Sequence, residues 1–370
     1  MSKYYYSLGL MSGTSGDGVD ASIIQSDGDT QYKVILDKYF EYSKDIYQDL
    51  SDLRDKINDS TDLKNLLKET ENLEKKITLF HAEAANEIIN DSDVNVDLIG
   101  FHGQTIFHNS KEKISRQLGD GKLLSKLSKK IVVYNFRQND LENGGEGAPL
   151  TPIFHKLLVN QYKIDLPVTI LNLGGIANVT HINKNNEISS CDIGPGNCLI
   201  DQWIKLNSKK NYDEDGKIAQ TGKINEIILT NAIENFKMKF MRHNKNKSYD
   251  TKDFNLSFVR GLSLEDGAAT LTEYTSEILS NFLKEIEDSK KILVCGGGRR
   301  NKFLMKRIVK KINHSLHSID NLDIDGDFIE SEAFAFLAIR SYLNLPISFP
   351  ETTGVNKPCT GGLIYKFKEQ

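Results

Sequence analysis

No stretch of this chain reaches the roughly 18 consecutive apolar residues that a membrane-spanning helix requires. A membrane role is therefore not expected. The opening residues, Met1-Ser2-Lys3-Tyr4-Tyr5-Tyr6, also lack the apolar segment and small-residue cleavage site of a secretory leader, so the expected location is cytoplasmic. Cysteine is scarce. The four residues Cys191, Cys198, Cys295 and Cys359 form no Cys-x-x-Cys pair in 370 residues, which fits a reducing compartment. An excess of positive charge is missing as well. Forty-seven Lys and Arg against 51 Asp and Glu leave a formal net charge of -4, which argues against nucleic acid as a partner. The one basic run, Lys237 to Lys247, is interrupted by Met, Phe and Asn and reads as an exposed helix end or loop.

Several common catalytic signatures are absent too. No Gly-Lys-Ser/Thr follows the first glycine turn, so it is not a Walker loop. Gly13-Thr14-Ser15-Gly16-Asp17 is not the Gly-x-Ser-x-Gly of a hydrolase elbow. Gly194-Pro195-Gly196-Asn197-Cys198-Leu199 lacks the third glycine of a dinucleotide fingerprint. His102 and His108 are six apart, which matches neither a helical metal pair nor a zinc-finger spacing; His102 suits a hydrogen bond to a polar ligand better.

What the chain does carry is a set of glycine turns behind apolar strands. Tyr6 to Met11 and Val19 to Ile24 read as strands joined by a tight hairpin through Gly13-Thr14-Ser15-Gly16-Asp17-Gly18. Glycines there leave backbone N–H groups and the Thr14 and Ser15 hydroxyls room to converge on a phosphate, and Asp17 and Asp20 add carboxylates suited to magnesium. The pattern returns at Val168 to Thr180, around Gly174 and Gly175, which suggests an internal duplication with one copy in each of two domains. A third turn, Gly296-Gly297-Gly298, follows the apolar run Ile292 to Cys295. Together these turns are what a nucleotide held between two lobes requires.

Between these landmarks, residues 45 to 90 show helical spacing and predict one long helix or two on the outside of the first domain. Val96 to Gly100 and Ile131 to Tyr134 predict strands, Leu199 to Leu206 and Asn301 to Ile312 helices, and Gly361 to Tyr365 a short strand or turn. Ser331 is expected to cap a helix running to Leu343, with Glu332 in its first turn. Asp192, before two glycines, reads either as a turn-initiating aspartate or as a cleft carboxylate that takes a proton from an attacking oxygen.

These motifs in this order resemble the anhydro-N-acetylmuramic acid kinase family. The resemblance rests on Gly9 to Ser15 with Asp17-Gly18-Val19-Asp20, on His102-Gly103-Gln104-Thr105, Leu118-Gly119-Asp120 and Phe136-Arg137, and on Gly144-Gly145 with Gly147-Ala148-Pro149-Leu150. It continues through Asn172-Leu173-Gly174-Gly175-Ile176-Ala177-Asn178, Asp192-Ile193-Gly194-Pro195-Gly196-Asn197, Cys295-Gly296-Gly297-Gly298 with Asn301, and Glu332-Ala333-Phe334-Ala335-Phe336. It implies an α/β fold of the actin-like, sugar-kinase and Hsp70 ATPase superfamily: two lobes, each a ribonuclease H-like mixed sheet flanked by helices, with a central ATP cleft. Residues 1–140, rejoined by 346–370, would form the first lobe and 141–345 the second.

The activity implied is hydrolytic opening and 6-O-phosphorylation of 1,6-anhydro-N-acetylmuramic acid, giving N-acetylmuramic acid 6-phosphate and ADP in cell-wall recycling. The resemblance makes Asp192 the general base. It places ATP on Gly13, Thr14, Ser15, Gly16, Asp17, Gly18, Val19 and Asp20, on Gly174 and Gly175, and on Gly296, Gly297 and Gly298. Magnesium would be held mainly by phosphates and water, with Asp17 or Asp20 nearby. His102, Gln104, Arg137 and Glu332 are candidate sugar contacts, Arg137 being suited to a carboxylate. The resemblance also implies a homodimer. Gly16 stands where the family usually has Leu or Met, which predicts a looser first turn, and Glu146 replaces a usual Gln. Competing readings are a kinase for an ordinary sugar, an actin-like filament subunit, and an Hsp70-like clamp, which would need a long region beyond Gln370.

Overall fold

The structure is a computed structural model and describes residues 3–241, 248–286 and 291–367. Its strands are β1 (Tyr5–Ser12), β2 (Gly18–Ser26), β3 (Tyr32–Glu41), β4 (Leu98–Asn109), β5 (Ile114–Leu118), β6 (Ile131–Tyr134), β7 (Val168–Leu173), β8 (Ile176–Ile182), β9 (Ile188–Pro195), β10 (Lys291–Cys295), β11 (Ser315–Ser318) and β12 (Leu363–Tyr365). The chain divides into two compact units, Met1–Ile164 with Asp327–Gln370, and Asp165–Gly326.

In the first unit the sheet order is β12-β6-β4-β1-β2-β3, with β5 paired to β4. β1, β2 and β3 form an antiparallel meander, and β4 and β6 run parallel beyond β1. In the second unit the order is β11-β10-β7-β8-β9. Here β7, β8 and β9 form the meander, and β10 and β11 run parallel beyond β7. With β5 and β12 set aside, both sheets read 3-2-1-4-5 in chain order. The duplication suggested by two glycine hairpins thus extends to the whole strand order.

The units do not divide where the sequence reading put the boundaries. The helix Pro152–Gln161 belongs with the first unit, where the Gln161 side chain exchanges hydrogen bonds with the Tyr32 backbone at 2.8 and 2.9 Å. So does the helix Ile329–Tyr342, which lies against β1. A Cβ on Gly9 would stand 1.9 Å from the Ser331 carbonyl, so only glycine permits that approach. This helix starts two residues before the expected cap. Ser331 lies inside it, and its hydroxyl donates to Phe328 O at 2.9 Å and meets the Ser22 hydroxyl at 2.6 Å.

The segment expected as one long helix or two is three: Lys44–Lys56, Ser60–Asn65 and Leu67–Asp91. Asp59 causes the first break, because its carboxylate caps the second helix in a capping box with Asp62. Leu73, Ile77, Ala85 and Ile88 form the buried stripe of the third helix. The core of the second unit gathers Leu171, Leu173, Ala177, Val179 and Ile193 from the sheet with Trp203, Leu271 and Leu279 from the helices Cys198–Asn207 and Leu264–Glu285. Of the basic run, Lys237–Met241 continues a helix as a wider π turn, and 242–247 lies outside the described residues. Among the described residues no helix is long and apolar enough to cross a membrane.

Candidate active site

Asp192 sits in β9 opposite Asn178 of β8. The register shifts between Ala177 and Asn178, because Ala177 opposes Gly194; Ile193 is the extra residue of a β-bulge. Ile193, Ala177 and Val179 all enter the core. Their neighbours Asp192 and Asn178 therefore face the other side of the sheet. Asn172, set between core residues Leu171 and Leu173 and opposite Asn178, completes a polar row on that face. Bulges of this kind re-aim a side chain beside a functional site. The Asp192 carboxylate accepts the Tyr249 N–H at 2.7 Å, and the backbone beyond is fixed by the Asp250–Asp253 capping box.

The glycine segments of the second unit meet beside this row. Gly196 N–H donates to Gly175 O at 2.9 Å, and Asn197 N–H to Gly174 O at 2.9 Å. A Cβ on Gly196 would stand 2.2 Å from Gly174 O, so any larger residue would force the two turns apart. The third turn closes on the same place: a Cβ on Gly298 would meet the Asn197 amide and Leu173 Cβ at 2.8 Å each. Arg299 braces this turn. Its guanidinium, 6% exposed, grips both oxygens of Asp320 at 2.8 Å and donates to Gly296 O at 3.2 Å. That fork holds the Asp320 carboxyl well below the usual carboxylate range. Gly174, Gly175 and Gly296 to Gly298 thus lie at the carboxyl ends of β7 and β10, the edge where open α/β sheets bind ligands.

The first unit carries its own turn at the equivalent edge, between β1 and β2. Thr14 and Ser15 are exposed on it, and Ser15 Oγ donates to Asp17 Oδ1 at 2.6 Å. Three donors tie the turn down: Gly16 N–H to Gly13 O at 3.2 Å, Gln104 Nε2 to Gly13 O at 2.8 Å, and Arg54 Nη1 to Thr14 O at 2.7 Å. Gly16 has φ +66°, and Leu50 Cδ2 lies 2.8 Å from where its Cβ would be. The turn expected to be loose is thus filled by Leu50 and held at its backbone. Gly18 and Val19 begin β2, and Asp20 lies opposite Met11.

Beneath the turn runs a buried chain that the sequence reading missed. Tyr42 OH meets Ser12 Oγ at 2.8 Å, Ser12 Oγ meets His81 Nε2 at 3.1 Å, and His81 Nδ1 meets Ile77 O at 2.8 Å. A carbonyl only accepts, so Nδ1 carries the proton. Burial lowers the His81 pKa to about 4, so Nε2 is left as an acceptor for Ser12. The partners lie 30 and 69 residues from Ser12, beyond any local pattern.

His102 and Arg137 come together. Arg137 Nη2 and Nε approach His102 Nε2 at 2.9 and 3.3 Å, and Nη1 donates to Gly147 O at 2.8 Å. Arginine only donates, so His102 Nε2 accepts and Nδ1–H donates to Gly103 O at 2.7 Å. Burial first, and then the Arg137 charge, hold the His102 pKa well below its ordinary value. Gln104, fully buried on the same strand, has an Oε1 with no partner among the described residues. Glu332 stands apart. It is 1% exposed and acts on the Tyr32 phenol, while Phe334, about 200° around the same helix, faces the His102 ring at 4.5 Å.

Near the first turn, burial and the carboxylates of Asp17, Asp20 and Glu41 push the Tyr39 phenol above its ordinary pKa, so these acids share one negative patch. Oxygen donors of this kind fit a hard cation such as magnesium. Among the described residues no group of three or more His, Cys, Asp or Glu is arranged to hold a metal.

Two copies of one mixed-sheet order, with glycine turns at the carboxyl ends of the parallel strands, define the architecture of the actin-like ATPases and sugar kinases. Within that class the chain belongs to the anhydro-N-acetylmuramic acid kinase family, whose sequence profile matches residues 4–367. The anhydro-N-acetylmuramic acid kinase of Pelagibacter ubique (strain HTCC1062) is 57% identical over 99% of this chain and 100% of its own length. That of Zymomonas mobilis subsp. mobilis is 39% identical over 97% of this chain and 99% of its own. A solved structure, component A of (R)-2-hydroxyglutaryl-CoA dehydratase from Acidaminococcus fermentans, overlaps with a TM-score of 0.47 at 9% identity, covering 92% and 99% of the two chains, a likeness too slight to carry an argument.

Proposed function

We propose that this chain uses ATP to open 1,6-anhydro-N-acetylmuramic acid with water and to phosphorylate the freed O6, yielding N-acetylmuramic acid 6-phosphate and ADP. The observation that carries this reading is the placement of Asp192 by a bulge, on the same sheet edge as the converging glycine turns, in a chain that matches the kinase family from end to end.

In this reading Asp192 removes one proton from water as its oxygen bonds to the anomeric carbon. The C1–O6 bond breaks and O6 attacks the γ-phosphorus. The Tyr249 N–H keeps the carboxylate oriented. The Gly13–Asp20 turn, Gly174 and Gly175, and Gly296 to Gly298 bind ATP through backbone N–H groups, which supply alignment and charge stabilisation. Magnesium, held by phosphates and by water on Asp17 or Asp20, would neutralise phosphate charge. Arg137, oriented by His102, faces the substrate carboxylate, with Gln104 as a further sugar contact. We place the protein in the cytoplasm, as a homodimer, with neither nucleic acid nor membrane as a partner.

The test is mass spectrometry of the product made in oxygen-18 water, quenched before the reducing end exchanges. One label at the anomeric oxygen and an unlabelled phosphate on O6 are expected. Faster phosphorylation of plain N-acetylmuramic acid or glucosamine would make the chain an ordinary amino-sugar kinase instead.

A further inference from the structure

The glycine-rich loop Gly144 to Pro149 has no role in the reading above, yet a single buried acid shapes it. Asp140 is 1% exposed and belongs to the short helix Gln138–Glu142. Its Oδ1 accepts the Gly147 N–H at 2.6 Å and its Oδ2 accepts the Thr353 hydroxyl. Its backbone carbonyl accepts the Gly145 N–H at 2.9 Å. A Cβ on Gly145 would stand 2.1 Å from Asp140 Oδ1, so the loop can wrap the carboxylate only with glycine at that position. Later residues close over the same place. Glu146 N–H donates to Thr353 O at 2.9 Å, Asn356 Nδ2 to Asn143 O at 3.0 Å, and Asn139 Nδ2 to Thr360 O.

Gly147 is held through both of its backbone groups. Its N–H goes to Asp140, and its carbonyl receives Arg137 Nη1 at 2.8 Å. The same guanidinium rests on His102 Nε2 through Nη2 and Nε. Asp140 is buried, whereas Arg137, three residues earlier, is only partly so. The acid therefore reaches no ligand itself. It fixes the carbonyl against which the guanidinium is set. Burying a carboxylate is costly, and neutral donors offset only part of that cost.

We propose that Asp140 is a positioning residue for recognition of the substrate carboxylate, acting through Gly147 and Arg137. The inference rests on the reading of Arg137 as the group that grips that carboxylate. A guanidinium pairs with a carboxylate through two parallel hydrogen bonds, which requires its plane to be set beforehand. His102 supplies one support and the Gly147 carbonyl the other. Without Asp140 the second support is released, and the ligand itself must order the arginine. The effect falls on sugars that carry an acid and spares those that do not.

The experiment compares the native chain, Asp140→Ala, Asp140→Asn, Arg137→Ala and the double variant Asp140→Ala with Arg137→Ala, each with ATP and magnesium. Steady-state kinetics give kcat/KM for 1,6-anhydro-N-acetylmuramic acid. Competition gives the inhibition constant of the same anhydro-sugar without its lactyl group. For Asp140→Ala we expect kcat/KM to fall about tenfold or more, while KM for ATP and the inhibition constant stay within about twofold. Asp140→Asn keeps an oxygen for the Gly147 N–H and should recover most of the loss. In the Arg137→Ala background the loss of Asp140 should add little, because the acid acts through the arginine.

Equal losses for both sugars, or two substitutions whose effects multiply, would make Asp140 a purely structural residue and overturn the proposal. If Asp140→Ala melts well below the native chain, Thr353→Val carries the test, since it removes the second donor to the acid. Its preference for the acidic sugar should fall severalfold, and an unchanged preference overturns the proposal. Native kcat/KM in Arg137→Ala overturns the carboxylate reading and this inference with it, but not the kinase. A native chain that makes no 6-phosphate overturns the proposed function as well.

Discussion

Arg137 donates to His102 Nε2 at 2.9 Å while its other arm donates to the Gly147 carbonyl, so one guanidinium joins the middle of β4 to the glycine-rich loop before Pro149. A single-point ammonium cannot reproduce the fork that reaches both partners. Arg137→Lys should therefore leave the buried His102 Nε2 or the Gly147 carbonyl without a donor, at a cost of about 1–3 kcal/mol. The expected result is a lowered melting temperature and a KM for the anhydro-sugar raised at least tenfold, with KM for ATP little changed. Calorimetry and steady-state kinetics check both.

Asp192→Asn is nearly isosteric and keeps an oxygen for the Tyr249 N–H. It should fold and bind ATP normally while turnover falls by several orders of magnitude, since the amide cannot take the proton. Near-native turnover would remove Asp192 from the role of base.

Gly298→Ala places a methyl group 2.8 Å from both the Asn197 amide and Leu173 Cβ, one of them strand framework. The third glycine turn must move away from the Leu173–Ile176 turn. KM for ATP is expected to rise several-fold with the sugar KM much less affected, and isothermal titration with a non-hydrolysable ATP analogue measures the first effect directly.

Acid should destabilise this protein early. Burial lowers the pKa of His81, His108 and His155 from 6.5 to about 4, and that of His102 falls well below its ordinary value. Between those limits the unfolded chain binds protons that the folded chain refuses. Each histidine then contributes stability that is full above about 6.5 and lost as pH falls toward 4, with a slope of up to about 1.4 kcal/mol per pH unit. Urea unfolding at pH 7, 6 and 5 should show a steadily falling midpoint. A constant midpoint over that range would contradict the assignment of these histidines as buried and neutral.

Local pattern made the strands with clean edges legible. β1, β6, β7 and β10 fall where apolar runs end in glycine or polar residues, and the repeated hairpin announced the duplicated sheet. β3 and β5 were not read, because partly exposed strands such as Tyr32–Glu41 mix charged and apolar residues without strict alternation. The Leu264–Glu285 helix was missed for the opposite reason: it is buried nearly all round, so Thr270, Thr272, Thr275 and Ser276 sit where an amphipathic pattern would show apolar residues. At the site, glycine turns and Asp192 stand out as motifs. The Tyr42–Ser12–His81 chain and the Arg54 tether do not, since long-range hydrogen bonds leave no periodic trace. The unit boundaries were misjudged because the Ile329–Tyr342 helix returns to the first sheet from late in the chain.

The extra residue in β9 means that the orientation of the carboxylate at 192 is set by counting rather than by chemistry. Side chains alternate along a strand, so an unbulged ladder that paired Ile193 with Asn178 would slide the earlier segment of β9 by a single step and exchange its inner and outer faces. The acid would turn inward among Ala177 and Val179 while every one of its neighbours kept its name.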